Sequence, residues 1–92
     1  MTNNMQVVRL SDGREVCLSY GVIVAAFIPA DYPVSDGQAH WLAGKRGYLR
    51  TDARYSVTTS RHMNTFAGKS APMIPDEVLR ALVAPVTDRR VK

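Results

Sequence analysis

Cysteine is almost absent. Cys17 stands alone, so no disulfide can close within the chain, and a secreted scaffold stapled by disulfides is excluded. A reducing compartment, the cytoplasm, is the corresponding expectation. Histidine is scarce too: His40 and His62 lie far apart and, even with Cys17, match no zinc spacing. Neither a metal site nor a cofactor is therefore expected. No apolar run approaches the roughly 18 residues that span a bilayer. The best run, residues 22–28, stops at Pro29, and Asp12 and Glu15 precede it. That is not the cationic lead-in of a signal peptide, so no membrane segment or leader is expected. Internal repeats and low-complexity tracts are lacking as well. What remains is an ordinary globular composition, 46% hydrophobic and 22% charged over 92 residues, enough chain for one domain with a modest core.

Catalytic constellations are missing. Ser60 stands near His62, but no third group is in sight to orient the imidazole or hold an oxyanion. Asp31, Asp36, Asp52 and Asp76 show no paired-carboxylate spacing. Residues 44–47, Gly-Lys-Arg-Gly, lack the residues that separate glycine from lysine in a phosphate loop. Cys17 sits in a strand pattern and reads as a small buried hydrophobe rather than a reactive thiol. An enzyme is not expected.

The pattern predicts an α+β domain over residues 1–85, followed by a flexible basic tail, 86–92. Residues 5–10 and 15–20 alternate as strands around Asp12-Gly13, a hairpin signal because both turn positions tolerate positive φ. Gly21 marks a bulge or bend, and the apolar, β-branched residues 22–28 read as a central strand. Residues 29–38, with two prolines and two aspartates, read as a surface loop. Short strands are expected at 39–42, 47–51 and 55–57, the first two joined by the basic turn 43–47. Thr58, Thr59 and Ser60 offer cap hydroxyls to a short helix that ends at Gly68, with Met63, Phe66 and Ala67 as its apolar stripe. A second helix starts at Pro75, complements its dipole with Asp76 and Glu77, buries Val78, Leu79, Leu82 and Val83, and stops at Pro85. The expected whole is a small, mostly antiparallel sheet of four or five strands with two short helices in the C-terminal third.

Three pieces taken together carry a family pattern: Leu10-Ser11-Asp12-Gly13-Arg14, Ser19-Tyr20-Gly21 running into Val24-Ala25-Ala26-Phe27-Ile28, and Gly47-Tyr48-Leu49-Arg50-Thr51 followed by Tyr55-Ser56-Val57-Thr58-Thr59-Ser60-Arg61-His62-Met63-Asn64. The combination resembles a family of small uncharacterised proteins from phages, prophages and plasmids that share Ser-Tyr…Val-Ala-Ala…Tyr-x-Arg-Thr…Thr-Thr-Ser-Arg/Lys-His-Met/Ile-Asn. The resemblance covers residues 6–67. In that family a short link joins the apolar strand to the Tyr-x-Arg-Thr strand, whereas residues 29–46 here form an enlarged connection. What the resemblance implies is a mobile-element setting in a bacterial host, and no activity.

Charge is distributed unevenly. The chain carries a net +4, yet residues 45–61 hold Lys45, Arg46, Arg50, Arg54 and Arg61 against Asp52 alone, and the tail holds Arg89, Arg90 and Lys92 against Asp88. The remainder is net acidic. Trp41, Tyr48 and Tyr55 interleave the basic stretch, and guanidinium groups with aromatic faces suit phosphates and bases. Thr59, Ser60, Arg61 and His62 fall at a helix start, where free amides favour an anion; the same hydroxyls can equally serve as caps alone. The leading expectation is a non-enzymatic module that presents Lys45, Arg46, Arg50, Arg54, Thr59, Ser60, Arg61 and His62 to nucleic acid or an acidic protein surface, with Trp41, Tyr48 and Tyr55 as aromatic support. The competing expectation is an interaction protein, a homodimer included, that pairs through a sheet edge.

Overall fold

A computed structural model describes residues 4–42 and 47–89. Two tight hairpins start the fold. Strand β1 (Met5–Arg9) pairs antiparallel with β2 (Glu15–Ser19), which pairs antiparallel with β3 (Val22–Ile28). The first turn is a three-residue loop, Ser11 to Gly13, closed by Leu10 N–H donating to the Arg14 carbonyl at 2.8 Å. Only Gly13 takes positive φ there, at 96°, so Asp12 is not left-handed as the Asp-Gly signal suggested; one extra residue gives a glycine-ended turn instead. The second turn is a two-residue loop with φ of 53° at Tyr20 and 80° at Gly21. Gly21 is thus half of a tight turn, and the irregularity lies opposite Cys17 and Leu18, where the register slips past Val24. That slip lets the consecutive residues Val24 and Ala25 pack into the same cluster.

β4 (Gly47–Thr51) adds antiparallel to β3, and β5 (Met73–Ile74) adds parallel to β4, giving a five-stranded sheet in the order β1-β2-β3-β4-β5. The parallel step is possible because a helix carries the chain back across the sheet. β5 carries too few residues to show a strand pattern in the sequence.

Three helices accompany the sheet. The strand expected at residues 39–42 is instead part of α1 (Asp36–Leu42). Its cause is a reciprocal cap: Ser35 Oγ accepts from the Gln38 N–H at 3.2 Å, and Gln38 Oε1 accepts from the Ser35 N–H at 3.0 Å. The strand expected at 55–57 is also replaced, because α2 (Val57–Ala67) begins earlier than the Thr-Thr-Ser run. Ser56 is its N-cap, accepting from the Thr59 N–H at 3.2 Å, and Thr58, Thr59 and Ser60 form its first turn. Gly68 ends it at φ 91°, donating to the Asn64 carbonyl. α3 (Asp76–Val83) starts behind Pro75 and buries Leu79, Leu82 and Val83.

The two faces of the sheet are covered differently. On one, Val16, Leu18, Ile23, Ala26, Ile28, Leu49 and Ile74 meet Leu79, Leu82 and Val83 of α3 and Leu42 of α1. On the other, Cys17, Val22, Val24 and Ala25 meet Met63 of α2, with Phe66 and Ala67 packed alongside.

A buried arginine fastens the C-terminal helix. Arg14 is 6% exposed. Its Nε and Nη2 bind the Asp12 carboxylate at 2.8–3.1 Å, and its Nη1 donates to the carbonyls of Leu82 and Ala84 at 2.9 and 2.7 Å. The Tyr32 ring lies 4.6 Å beneath the guanidinium. These are the carbonyls a helix end leaves unpaired. Beyond α3, Val86 packs on the core, Asp88 accepts from Ile23 N–H and Arg80, and Arg89 N–H donates to the Gly21 carbonyl at 2.6 Å. Residues 86–89, expected within a mobile tail, make these contacts; 90–92 lie outside the described residues.

Candidate polyanion-binding face

The basic residues fall into three groups. Lys45 and Arg46 lie outside the described residues. Arg50 is turned inward along the sheet surface: its Nε and Nη2 donate to the Ala71 carbonyl at 3.0 and 2.8 Å, Nη2 also to the Lys69 carbonyl at 2.8 Å, and Nη1 to Asn64 Oδ1 at 3.0 Å. It ties β4 to α2 and to the segment that follows α2. Arg54 and Arg61 are exposed, as is Lys69, and none of these three forms an ion pair among the described residues. The paired arginines are elsewhere: Arg9 with Glu15, Arg14 with Asp12, and Arg80 with Asp76 and Asp88. Two carboxylates hydrogen-bonded to one guanidinium raise the Arg80 pKa further above its usual value.

The hydroxyl run has mostly turned into structure. Thr59 is buried, and its Oγ1 lies 3.1 Å from Ser19 Oγ and 3.3 Å from Ser56 Oγ. Ser19 Oγ in turn sits 2.7 Å from His62 Nδ1. Ser19 is buried as well, so this serine–histidine contact is partly buried and joins β2 to α2. Tyr20 rests its ring 5.8 Å from that of His62. Ser60 and His62 remain partly accessible, and Arg61 points outward. The cap of α2 is Ser56, which accepts from the Thr59 amide, so Thr58, Thr59 and Ser60 lie inside the first turn rather than at the cap position.

The aromatic residues separate. Tyr48 is 44% exposed on the α2 side, directly opposite Phe27 across β3 and β4. Phe27 lies 4.9 Å from it and Phe66 of α2 meets it edge-on at 5.3 Å. Two neighbours thus fix a ring whose remaining surface faces solvent. Tyr55 is exposed in the link between β4 and α2. Trp41, 46% exposed, belongs to the other side: with Gln38, Glu77 and Val78 it lines an open groove of about 410 Å³ between α1 and α3. Tyr48 and Trp41 are therefore not brought together.

Phe27 and Ser56 also support the face, although neither carries a site signal in the sequence; Phe66, expected only as part of an apolar stripe, and Ser19, part of the family pattern, join them. Ser56 stands three residues before Thr59, a cap spacing that was available; the pairing of Phe27 with Tyr48 depends on strand register, which no local pattern specifies. Among the described residues, no group of three or more His, Cys, Asp or Glu could hold a metal ion, and no helix is long and apolar enough to cross a membrane. Burial pushes the Cys17 thiol up to about 12, which leaves it protonated and unreactive at neutral pH.

These features define a small α+β domain: a five-stranded sheet with an aliphatic side under α1 and α3, and a partly open side under α2. The chain belongs to a family of unknown function, DUF8033, whose model matches residues 1–75. No curated protein and no solved structure matches it.

Proposed function

We propose that the protein is a non-enzymatic binding module that takes nucleic acid or a similar polyanion on the α2 side of the sheet. The segregation of charge carries this reading: Arg54, Arg61 and Lys69 are exposed and unpaired on α2 and its flanks, while the arginines held by carboxylates lie elsewhere. Lys45 and Arg46 immediately precede β4 in the chain and add to the same stretch. Arginine and lysine at the surface meet phosphate oxygens with little to desolvate on either side. Tyr48 supplies a fixed, half-exposed ring on that side, a surface on which a base can stack. Arg50 serves by holding α2 against β4 rather than by touching the ligand. A mobile-element origin and a bacterial cytoplasm fit this reading through the family pattern in the sequence.

The test is a binding titration of labelled single-stranded DNA and RNA. With four phosphate contacts, affinity should fall about 50-fold between roughly 50 and 200 mM salt. Arg54→Glu combined with Arg61→Glu should weaken binding at least about tenfold while the circular dichroism spectrum stays unchanged. Absence of binding to either nucleic acid near 50 mM salt would refute the proposal.

A further inference from the structure

The open groove of about 410 Å³ between α1 and α3 lies on the side of the sheet away from α2. Each helix lines it with residues at the same spacing, Gly37, Gln38 and Trp41 from α1 and Glu77, Val78 and Ala81 from α3. Residues three and four apart share a helix face, so each helix turns one stripe to the groove. Trp41 is 46% exposed there. The His40 ring stands 5.4 Å from it at 83°, a packing that steadies the indole.

Gly37 is the unusual part of this lining, because glycine disfavours a helix. Its φ is not positive, so the backbone does not call for glycine. Among the described residues, a Cβ built at that position meets nothing within 4 Å, so close packing does not call for it either. Side chains on a helix lean towards its N-terminus, which makes residue 37 the position whose side chain would stand against the Trp41 ring. Glycine leaves the indole uncovered on that side. The charge beside it is negative: Glu77 is exposed at the groove, and the cation of α3, Arg80, is held by Asp76 and Asp88 at 2.7 Å each. An indole face and a carboxylate in one groove suit a cation with a flat, weakly hydrated head, which is a guanidinium.

We propose that this groove docks a basic segment of a partner protein, with one arginine laid on Trp41 and directed to Glu77. Residues flanking that arginine rest on Val78 and Ala81. A protein segment fits better than a small cationic molecule, since small-ligand pockets enclose most of their ligand and this groove is open along its length. The site is on the opposite side of the sheet from the polyanion-binding face and does not depend on it.

Trp41 is the one tryptophan of the chain, so its fluorescence reports on the groove directly. The probe is a pool of short peptides with arginine at the centre and randomised, non-aromatic flanks; the control pool carries citrulline, the uncharged isostere. The arginine pool should change the emission of the full-length protein with a midpoint below about 1 mM. The citrulline pool should bind at least about tenfold more weakly, the worth of a cation–π contact beside a carboxylate. Glu77→Gln should remove most of that preference. Gly37→Leu should fill the space beside the ring and weaken the arginine pool at least about tenfold, while the thermal midpoint holds or rises because leucine suits a helix better than glycine. No response to the arginine pool up to about 5 mM overturns the inference, as does an equal response to both pools or full binding in a folded Gly37→Leu variant.

Discussion

The two sides of the sheet use different materials. Under α3 the contact is mainly aliphatic, with buried Thr51 donating to Asp76, and the buried charge among its described residues, Arg14, closes the end of the helix it packs against. Under α2 the apolar contact is smaller, and a buried hydroxyl–imidazole chain, Ser19 with Thr59 and His62, replaces part of it. Beside that chain the sheet stays open at Tyr48 and Val7. Burial of aliphatic side chains is worth about 1.5–3 kcal/mol each, whereas a hydrogen bond nets about 1 kcal/mol. The α3 side therefore supplies most of the cohesion, which leaves the α2 side free to expose groups that contribute nothing to packing. The family match spans residues 1–75, which hold the whole sheet, α1 and α2.

The sharpest way to break this contrast is to remove one large side chain from each side. Leu79 is fully buried among aliphatic neighbours and Met63 nearly so on the α2 side. Leu79→Ala should cost about 4 kcal/mol by urea denaturation, and Met63→Ala about 2 kcal/mol, since the flexible α2 contact can close around the void. Equal or inverted losses would show that the α2 side is the structural one.

Arg14 offers the next effect. Arg14→Met keeps the bulk but leaves the Leu82 and Ala84 carbonyls without their donor and Asp12 without its partner. Losing charged hydrogen bonds at a buried guanidinium should cost about 3 kcal/mol. Hydrogen exchange should reveal the loss first in α3. A uniform loss over the sheet, with α3 still protected, would contradict the role of Arg14 as the fastening of that helix.

The fold could be read from the sequence wherever its cause was local. The β1–β2 hairpin follows from alternation around Asp12-Gly13, β3 from an unbroken β-branched run, and α3 from Pro75, two acidic residues and a four-residue apolar stripe. The cap pair of α1, Ser35 and Gln38, is plain in the sequence, but the two prolines just before it, Pro29 and Pro33, read as a loop. The start of α2 slipped because several hydroxyl residues in a row can each cap, and only packing against Ser19 shows that Thr59 belongs inside. The face itself was half legible. Arg50 and Arg61 are the same residue type in one basic stretch, yet one holds three backbone and side-chain acceptors and the other faces water. That distinction comes from the position of segment 69–71, about twenty residues further along the chain, and no local pattern carries it.

The smallest expected effect concerns acid. Hydrogen bonds from the Arg14 side chain and backbone hold the Asp12 carboxyl below its ordinary value of 3.8. A carboxyl with a lowered folded-state pKa favours the folded chain while it is ionised. That contribution is complete above its ordinary pKa and disappears as pH falls through the lower folded value. Asp12 is at the surface, so solvent screens the effect and only a modest shift follows. Comparing urea midpoints near pH 5 and near pH 2.5, wild type should lose more than Asp12→Asn, and the two should converge at the lower pH. The convergence should be seen in α3 rather than α2, because Arg14 links Asp12 to the end of α3 alone. A constant gap between the two proteins across that range would mean that the Arg14 anchor holds α3 without its carboxylate, and that the aliphatic side needs no charge at all.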